Sequence, residues 1–413
     1  MTELFRALTL QEARDLLAKH LSTSEKIEKI PLTESLGRLL AADVYAVDDV
    51  PGFHRSTMDG FAVQAKDTYG ASESMPAYLS IAGDVIMGSA PAGRVQPGQA
   101  WRIATGGMLP EGADSIVMVE YTEELAPDSV LIHRAVAPGE NVIRKGEDLA
   151  AGSLLLSQGR RIRPQDMGIL SATGITVVEV YPRCRVGIIS TGDELVEPWH
   201  TPLPGQVRDI NSYALSGAVE QCGGEPKYYG IVKDEQDQLT ATLVQALEEN
   251  HIVILSGGSS VGSRDVAAAS ITSLGQPGVL FHGLSIKPGK PAIGAVIENK
   301  PVLGLPGHPA SAMMVFDLMV APLIRYGRYE DPEQHLATEY QLTAELIRNQ
   351  PSAAGREDFV RVKLFWKDGR LYADPVLGKS GLINTLVKAD GLAYIPAGKE
   401  GIAAGEQVRV KRF

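Results

Sequence analysis

From about residue 183 the chain alternates short apolar runs with amphipathic helical stretches, and this alternation restricts the fold more than any other sequence feature. Val186 to Ser190 reads as a buried strand, Asn211 to Cys222 as a helix closed by Gly223 and Gly224, and Lys227 to Val232 as a second strand. Asp234 reads as the cap of a helix that runs to about Glu249, and Ile252 to Leu255 as a third strand. Val302 to Leu305 then leads through Pro306-Gly307-His308-Pro309 into another helix. Strands and helices alternating at this spacing predict a doubly wound, mostly parallel sheet. Ligands bind such sheets beyond the carboxyl ends of the strands, so chemistry is expected in the turns that follow them.

The rest of the chain follows other periods. Thr9 and Glu12 make a T-x-x-E capping box ahead of a helical stripe of Leu10, Ala13, Leu16, Leu17 and Leu21. A second short helix is expected around Thr33 to Leu40. Residues 50 to about 148 carry short strand-like runs, such as Tyr78 to Ile81 and Ser115 to Val119, separated by Pro/Gly clusters, which predicts a β-rich lobe. After about residue 328 helical patterning stops. Phe359 to Trp366, the Lys367-Asp368-Gly369 turn and Leu371 to Asp374 predict a hairpin, and Gln407 to Lys411 a last strand of a C-terminal β domain. At 413 residues the chain exceeds a single core and fits about three domains of roughly 150 residues each.

Charge and cysteine usage exclude several functions. Fifty acidic residues against 39 basic ones give a net charge of −11, and no Lys/Arg run offers a nucleic acid a basic face. An anionic ligand must therefore be held by a small local pocket. Cys184 and Cys222 have no CxxC or Cys/His spacing around them, so neither a zinc site nor a disulfide framework is expected. The N-terminal stretch carries Glu3 and no long apolar run, unlike a signal peptide. The most apolar stretch, Ala312 to Ile324, contains Asp317 and Pro322 and is a buried helix at most, short of a membrane span. A soluble, cytoplasmic protein with no membrane or nucleic-acid partner is expected.

Several turns carry chemistry. Thr191-Gly192-Asp193-Glu194 follows the first strand, where free amides suit an anion and two carboxylates suit Mg²⁺; it is equally a polar strand-end turn. Ser256-Gly-Gly-Ser-Ser-Val-Gly262 with Asp265 follows the third strand, and its glycines and hydroxyls suit a phosphate at a helix start. Asp265 could complete a metal site with Glu194. No GK[ST] follows, so this is not a Walker loop. Lys287-Pro-Gly-Lys290-Pro291 aims two ammonium groups from one stiff turn, although two such lysines are commonly just solvated. Leu305-Pro-Gly-His-Pro-Ala-Ser311 offers amides at a helix start, with His308 read as structural. No GxSxG or HExxH is present.

Taken in order, Met58-Asp-Gly-Phe-Ala-Val63, Thr105-Gly-Gly, Gly146-Glu-Asp148, Ser190-Thr-Gly-Asp-Glu-Leu195, Asp209-Ile-Asn211, Ser256 to Gly262 with Asp265, Lys287 to Pro291 and Gly304 to Pro309 resemble the molybdopterin molybdenumtransferases, the bacterial MoeA proteins and the gephyrin E domain. The resemblance spans nearly the whole chain. It implies insertion of molybdate into adenylylated molybdopterin, with Mg²⁺ as cofactor and release of AMP. It also implies an elongated homodimer of multidomain subunits, of α/β plus β class. The expected division is a discontinuous linking lobe (22–49 and 149–182), a β-rich lobe (50–148), an α/β molybdopterin-binding domain (1–21 and 183–328) and a C-terminal β domain (329–413).

By the same resemblance Asp193, Asn211, Ser256 and Gly257 line the nucleotide side, and Glu194 with Asp265 faces the metal. Lys287, Lys290, Pro291 and Ser311 match the molybdate side, with Pro306 and Pro309 among the substrate-binding positions. Arg356 and Ser380 are further oxyanion contacts. Asp59, Thr105 and Asp148 join Glu194 and Asp265 as catalytic positions, on a lobe contributed across the dimer. This chain departs from the family pattern at Ser259, Val266 and His308, where Val, an aromatic and Asn are usual, and in the Phe53-His-Arg-Ser-Thr-Met58 lead-in. Competing functions are a tungstate-inserting paralogue, the ATP-dependent molybdopterin adenylyltransferase, which is also a candidate partner, and a scaffold. The β lobes exceed the adenylyltransferase, which resembles the α/β module alone.

Overall fold

The computed structural model describes residues 7–21, 26–257, 261–327 and 338–413, with the backbone alone for 261–265. It divides into two units, Ile27–Tyr181 and Met1–Lys26 together with Pro182–Phe413.

In the larger unit, side-chain parity on the central strands decides the layering. Six strands lie in the order Glu225–Val232, Arg185–Thr191, Ile252–Gly257, Lys300–Leu305, Ile293–Ile297 and Pro277–His282. The first four are parallel and the last two antiparallel, so the parallel sheet expected from the sequence carries an antiparallel edge. Val186, Ile188, Ile252, Ile254, Leu303 and Leu305 point to one face, where helices Leu10–Ala18, Asn211–Gln221 and Pro309–Val315 cover them. Ile189, Val253, Leu255 and Val302 point to the other, under Gln236–Glu249 and Val261–Ser273. Alternate residues of one strand thus feed two cores, which is what a strand buried on both faces requires.

Leu10–Ala18 begins at the capping box read from the sequence: Thr9 Oγ1 accepts from the Glu12 N–H at 3.2 Å, and Glu12 Oε2 accepts from the Thr9 N–H at 2.8 Å. Gln236–Glu249 differs from expectation. Its cap is Glu235, with no side-chain bond, and Asp234 is turned to other use. The apolar stretch from Ala312 is helical but passes through one π turn, Phe316–Val320. Pro322 has no N–H for the Leu318 carbonyl. The buried Arg14 donates to that oxygen through Nη2 at 2.6 Å and Nε at 3.2 Å.

The C-terminal strands close into a barrel. Glu357–Lys367, Arg370–Pro375, Leu342–Leu346, Gln407–Arg412 and Gly391–Ile395 are neighbours in that order, and the last pairs back with the first. Asp368 and Gly369, both at positive φ, make the tight turn of the expected hairpin. A sixth strand, Ile286–Lys287, belongs in sequence to the α/β part and lies parallel to Glu357–Asp358. One four-residue helix, Asn384–Val387, interrupts this β region.

The smaller unit has two parts. Strands Ser115–Met118, Gly60–Val63, Gln99–Ile103, Ala77–Asp84, Ser129–Ile132 and Thr122–Ala126 form one sheet in that order. Chain before and after this lobe pairs with itself, Glu28–Pro31 against Val177–Val180 and Val44–Tyr45 against Leu154–Leu156, around Ile30, Leu40, Leu170 and Val180. The helix expected at 33–40 is a single 3-10 turn, Leu32–Glu34, because Gly37 at φ 72° breaks the run. Helix Pro164–Ala172 instead packs there, and it escapes sequence reading because its buried residues are an acid, Asp166, and Leu170. Asp166 accepts from the Arg163 N–H at 2.9 Å and from Arg160 Nη2 at 2.8 Å.

Two predictions follow from these buried charges. Arg14→Leu, which keeps the apolar stem and strands the Leu318 carbonyl, lowers stability by about 2 kcal/mol in urea unfolding; an unchanged midpoint contradicts this role. Arg163, chiefly, and Arg160 hold the Asp166 carboxyl well below the usual range against the effect of burial. That stability is fully present above the unfolded carboxyl value of about 4 and is lost as the pH falls below it. Asp166→Asn therefore flattens the acid side of the stability profile of the 27–181 unit and lowers its neutral-pH stability by about 1–2 kcal/mol.

Candidate functional site

At the carboxyl ends of the parallel strands the backbone comes unusually close. A Cβ on Gly257 would lie 1.8 Å from the Thr191 carbonyl oxygen, and its φ is 148°, so only glycine ends this strand beside Thr191. Ser190 Oγ donates to Asp209 Oδ2 at 2.6 Å, and the Tyr228 hydroxyl reaches the same oxygen at 3.1 Å. Burial, and then the Asp209 carboxylate, push the Tyr228 phenol up, so it stays a donor. Asp209 Oδ1 receives the Ser212 N–H at 3.2 Å and so fixes the start of the Asn211–Gln221 helix.

Asn211 Nδ2 donates to the Gly307 carbonyl at 2.9 Å, tying this helix to the Pro306–Pro309 turn. Among the described residues its Oδ1 is buried with no donor, and the buried hydroxyls of Ser212 and Ser256 have no partner. These three atoms lie near the carboxyl ends of the strands, where a polar ligand or water can complete their bonding. Asp193 and Glu194 are exposed on the following turn. Asp234 faces them: burial raises its carboxyl, and the negative charges of Asp193 and Glu194 raise it further. An acidic corner of this kind favours a divalent cation. Among the described residues no three His, Cys, Asp or Glu converge on one ion position. Gly258 to Ser260 lie outside the described residues, as does the side chain of Asp265, whose backbone is in helix Val261–Ser273.

A cavity of about 640 Å³ gathers the other group of sequence-identified residues. Lys287, Lys290, Pro291, Pro306, Ser311, Arg356 and Ser380 all line it. Pro309 does not; it is buried as the first residue of its helix. The two lysines are exposed and among the described residues form no ion pair, and Lys287 arrives there because Ile286–Lys287 is a strand of the barrel. Arg356 Nε donates to the buried Asp358 at 2.8 Å. Ser380 Oγ lies 2.9 Å from His308 Nδ1, and the Ala310 N–H donates to the Ser380 carbonyl at 3.1 Å, which binds the barrel loop to the helix start. His308, read as structural from the sequence, thus belongs to the lining. Arg361 and Lys379 also line the cavity. Five lysines and arginines therefore face one carboxylate, Asp358, within a protein of net charge −11.

The remaining candidates lie on the Ile27–Tyr181 unit. Asp59 Oδ1 accepts from the Thr105 N–H at 2.7 Å and the Thr105 hydroxyl at 2.9 Å, and these bonds hold its carboxyl below the usual range. Both residues are exposed. Asp148 is exposed on a turn whose N–H donates to the Val50 carbonyl at 3.1 Å.

An α/β domain with unpartnered polar groups near its strand ends thus adjoins a barrel at a cavity lined by lysines and arginines. The MoeA N-terminal region (domains I and II) matches residues 8–174, a probable molybdopterin binding domain residues 187–326, and the MoeA C-terminal region (domain IV) residues 343–413. The chain is 33% identical to the molybdopterin molybdenumtransferase of Bacillus subtilis, over 95% of this chain and 91% of that one. It is 35% identical to molybdopterin molybdenumtransferase 2 of Mycobacterium tuberculosis, over 97% and 98%. The crystal structure of the molybdopterin biosynthesis protein MoeA from Pyrococcus horikoshii superposes with a TM-score of 0.83 at 32% identity, covering 99% of this chain and all of that one. The chain belongs to the molybdopterin molybdenumtransferase family, and is an enzyme of the transferase class.

Gly257→Ala places a methyl group against the Thr191 carbonyl. Local destabilisation of at least about 2 kcal/mol is expected, seen as faster amide hydrogen exchange in Arg185–Thr191 and Ile252–Gly257 than in the barrel strands. Unchanged exchange in those strands refutes the steric argument.

Proposed function

We propose that this enzyme inserts molybdate into adenylylated molybdopterin and releases AMP, the metal-insertion step of molybdenum cofactor biosynthesis. One observation carries the reading: an acidic protein concentrates Lys287, Lys290, Arg356 and the hydroxyls of Ser311 and Ser380 around one cavity. Molybdate is a tetrahedral dianion, and ammonium, guanidinium and hydroxyl donors on separate elements match its charge and shape. The strand-end groups supply the second half of the chemistry. Asn211, Ser212 and Ser256 offer buried, unsatisfied polar atoms to a nucleotide, beside the strand end where Gly257 lies against Thr191.

Glu194 and Asp265 would hold Mg²⁺, in keeping with the acidic corner at Asp193, Glu194 and Asp234, where the bound ion would neutralise phosphate oxygens of the anhydride. The chain's own residues position the two reactants: the cations hold the oxyanion while the strand-end turn holds the nucleotide, and cleavage of the anhydride then depends on placement and charge neutralisation rather than on a covalent side-chain intermediate. Asp59, Thr105 and Asp148 are taken as catalytic positions, and a homodimer and a cytoplasmic location are part of this proposal. Among the described residues no helix is long and apolar enough to cross a membrane.

Purified protein is incubated with adenylylated molybdopterin and Mg²⁺, with and without molybdate, and AMP is quantified. Molybdate-dependent release is expected, abolished by a chelator and reduced at least about 100-fold in Lys290→Ala and in Asp265→Ala. A parallel arm with tungstate settles which oxyanion is preferred. Tight nucleotide binding without AMP release under any oxyanion defeats the proposal and favours an adenylylating enzyme. Light scattering on the same sample tests the dimer.

A further inference from the structure

Among the described residues that line the cavity, His308 is the one imidazole. Imidazole is the side chain that ordinarily changes charge between about pH 5 and 8. The other charged side chains there are Lys287 and Lys290 on their turn, Arg356 just before the barrel strand, Asp358 and Arg361 on it, and Lys379 on the loop that bears Ser380. Those side-chain types ordinarily hold one charge across neutrality. Helix Asn211–Gln221, tied to Gly307 through Asn211, brings no charged residue in its first turn.

His308 stands at the start of helix Pro309–Val315 and makes no capping bond with its side chain. Its ring is turned to the barrel loop instead. Nδ1 lies 2.9 Å from Ser380 Oγ, and a Cβ on Gly381 would lie 3.4 Å from Cδ2. The Ala310 N–H donates to the Ser380 carbonyl at 3.1 Å, so the backbone holds the same two segments together. His308 is exposed, which leaves its ring open to proton exchange with solvent.

A serine hydroxyl has a single proton to give. When Nδ1 is bare it accepts that proton, and Ser380 then offers an oxyanion nothing but lone pairs. When both ring nitrogens are protonated, Nδ1 can only donate; Ser380 Oγ accepts from it, and the hydroxyl proton is released towards the cavity. We propose that His308 is a positioning residue that makes oxyanion binding in this cavity depend on pH: one proton taken onto its ring frees the Ser380 hydroxyl to donate to the anion. The inference rests on the oxyanion reading of the cavity. The family pattern has Asn at this position, and an amide does not titrate, so the dependence belongs to this chain's own histidine. By linkage, an anion that prefers the protonated ring draws a proton onto it, and its affinity rises as the pH falls.

The competing explanation is that the ring merely ties the barrel loop to the helix start. Such a tie changes affinity by one factor at every pH and takes up no proton. Full-length wild type, His308→Asn, His308→Gln and Ser380→Ala are titrated calorimetrically across the imidazole range, from about pH 6 to about pH 8.5. The probes are molybdate, kept dilute so that it stays monomeric, and sulfate, a tetrahedral dianion whose own charge is constant there. Each titration is repeated in two buffers of different ionisation heat, which gives the number of protons taken up.

Wild-type affinity for both anions is expected to rise at least about threefold from the top of that range to the bottom. A fraction of a proton is taken up per anion near neutrality. His308→Asn and His308→Gln bind with constant affinity and take up none, and Ser380→Ala loses most of the pH dependence. A wild type that binds without proton uptake overturns the inference with no recourse to a variant, as does a pH dependence that survives in His308→Asn. An undiminished pH dependence in Ser380→Ala overturns it too, because the hydroxyl is then not what the ring controls. A wild type that binds neither anion at any pH defeats the oxyanion reading of the cavity as well, whereas binding that is independent of pH defeats this inference alone.

Discussion

A two-residue pairing, Ile286–Lys287 alongside Glu357–Asp358, holds the functional arrangement together. It gives the barrel a strand from the α/β part of the chain, and so brings the Lys287-Pro-Gly-Lys290 turn against the strand that carries Arg361 and follows directly on Arg356. Without it, five cations would be distributed over two separate folding elements, each solvated and of little consequence. With it they share one cavity, where their charges act together on whatever enters it. The Ala310 to Ser380 backbone bond and the His308–Ser380 contact close the same joint from the other side.

The strand-end region obeys a different constraint. There the chemistry depends on backbone proximity, and the limiting contact is Gly257 against Thr191. Around it, Asp209 gathers Ser190, Tyr228 and the Ser212 N–H, so the rigid scaffold of this edge is satisfied internally. The atoms left over, Asn211 Oδ1 and the hydroxyls of Ser212 and Ser256, are those a ligand can reach. A satisfied frame around a few unsatisfied atoms is the expected form of a preorganised site.

Legibility in the sequence followed the range of the interactions. The Thr9–Glu12 box, the Asp368-Gly369 turn and the parallel strands are set by neighbours within a few residues, and they stand where the pattern placed them. Asp234 reads as a cap because an acid before a helix is a good cap in general; in the structure the cap position is Glu235, and Asp234 lies beside Asp193 and Glu194. Pro164–Ala172 was not visible because its inward face carries Asp166, neutralised by Arg160 and Arg163, and a polar residue in that position hides the helical stripe. Pro322 inside a helix removes a hydrogen-bond donor. Arg14, 304 residues away from Leu318, supplies the missing donor and lets the chain continue.

The sequence alone determined the broad class of fold, the family and the turns proposed for chemistry, because strand period, glycine placement and charge type are local properties of the chain. It could not determine which of its lysines and arginines are neutralised and which are left free. That was decided by tertiary structure, since it depends on whether a carboxylate folds into contact: Asp358 reaches Arg356, and among the described residues none reaches Arg361.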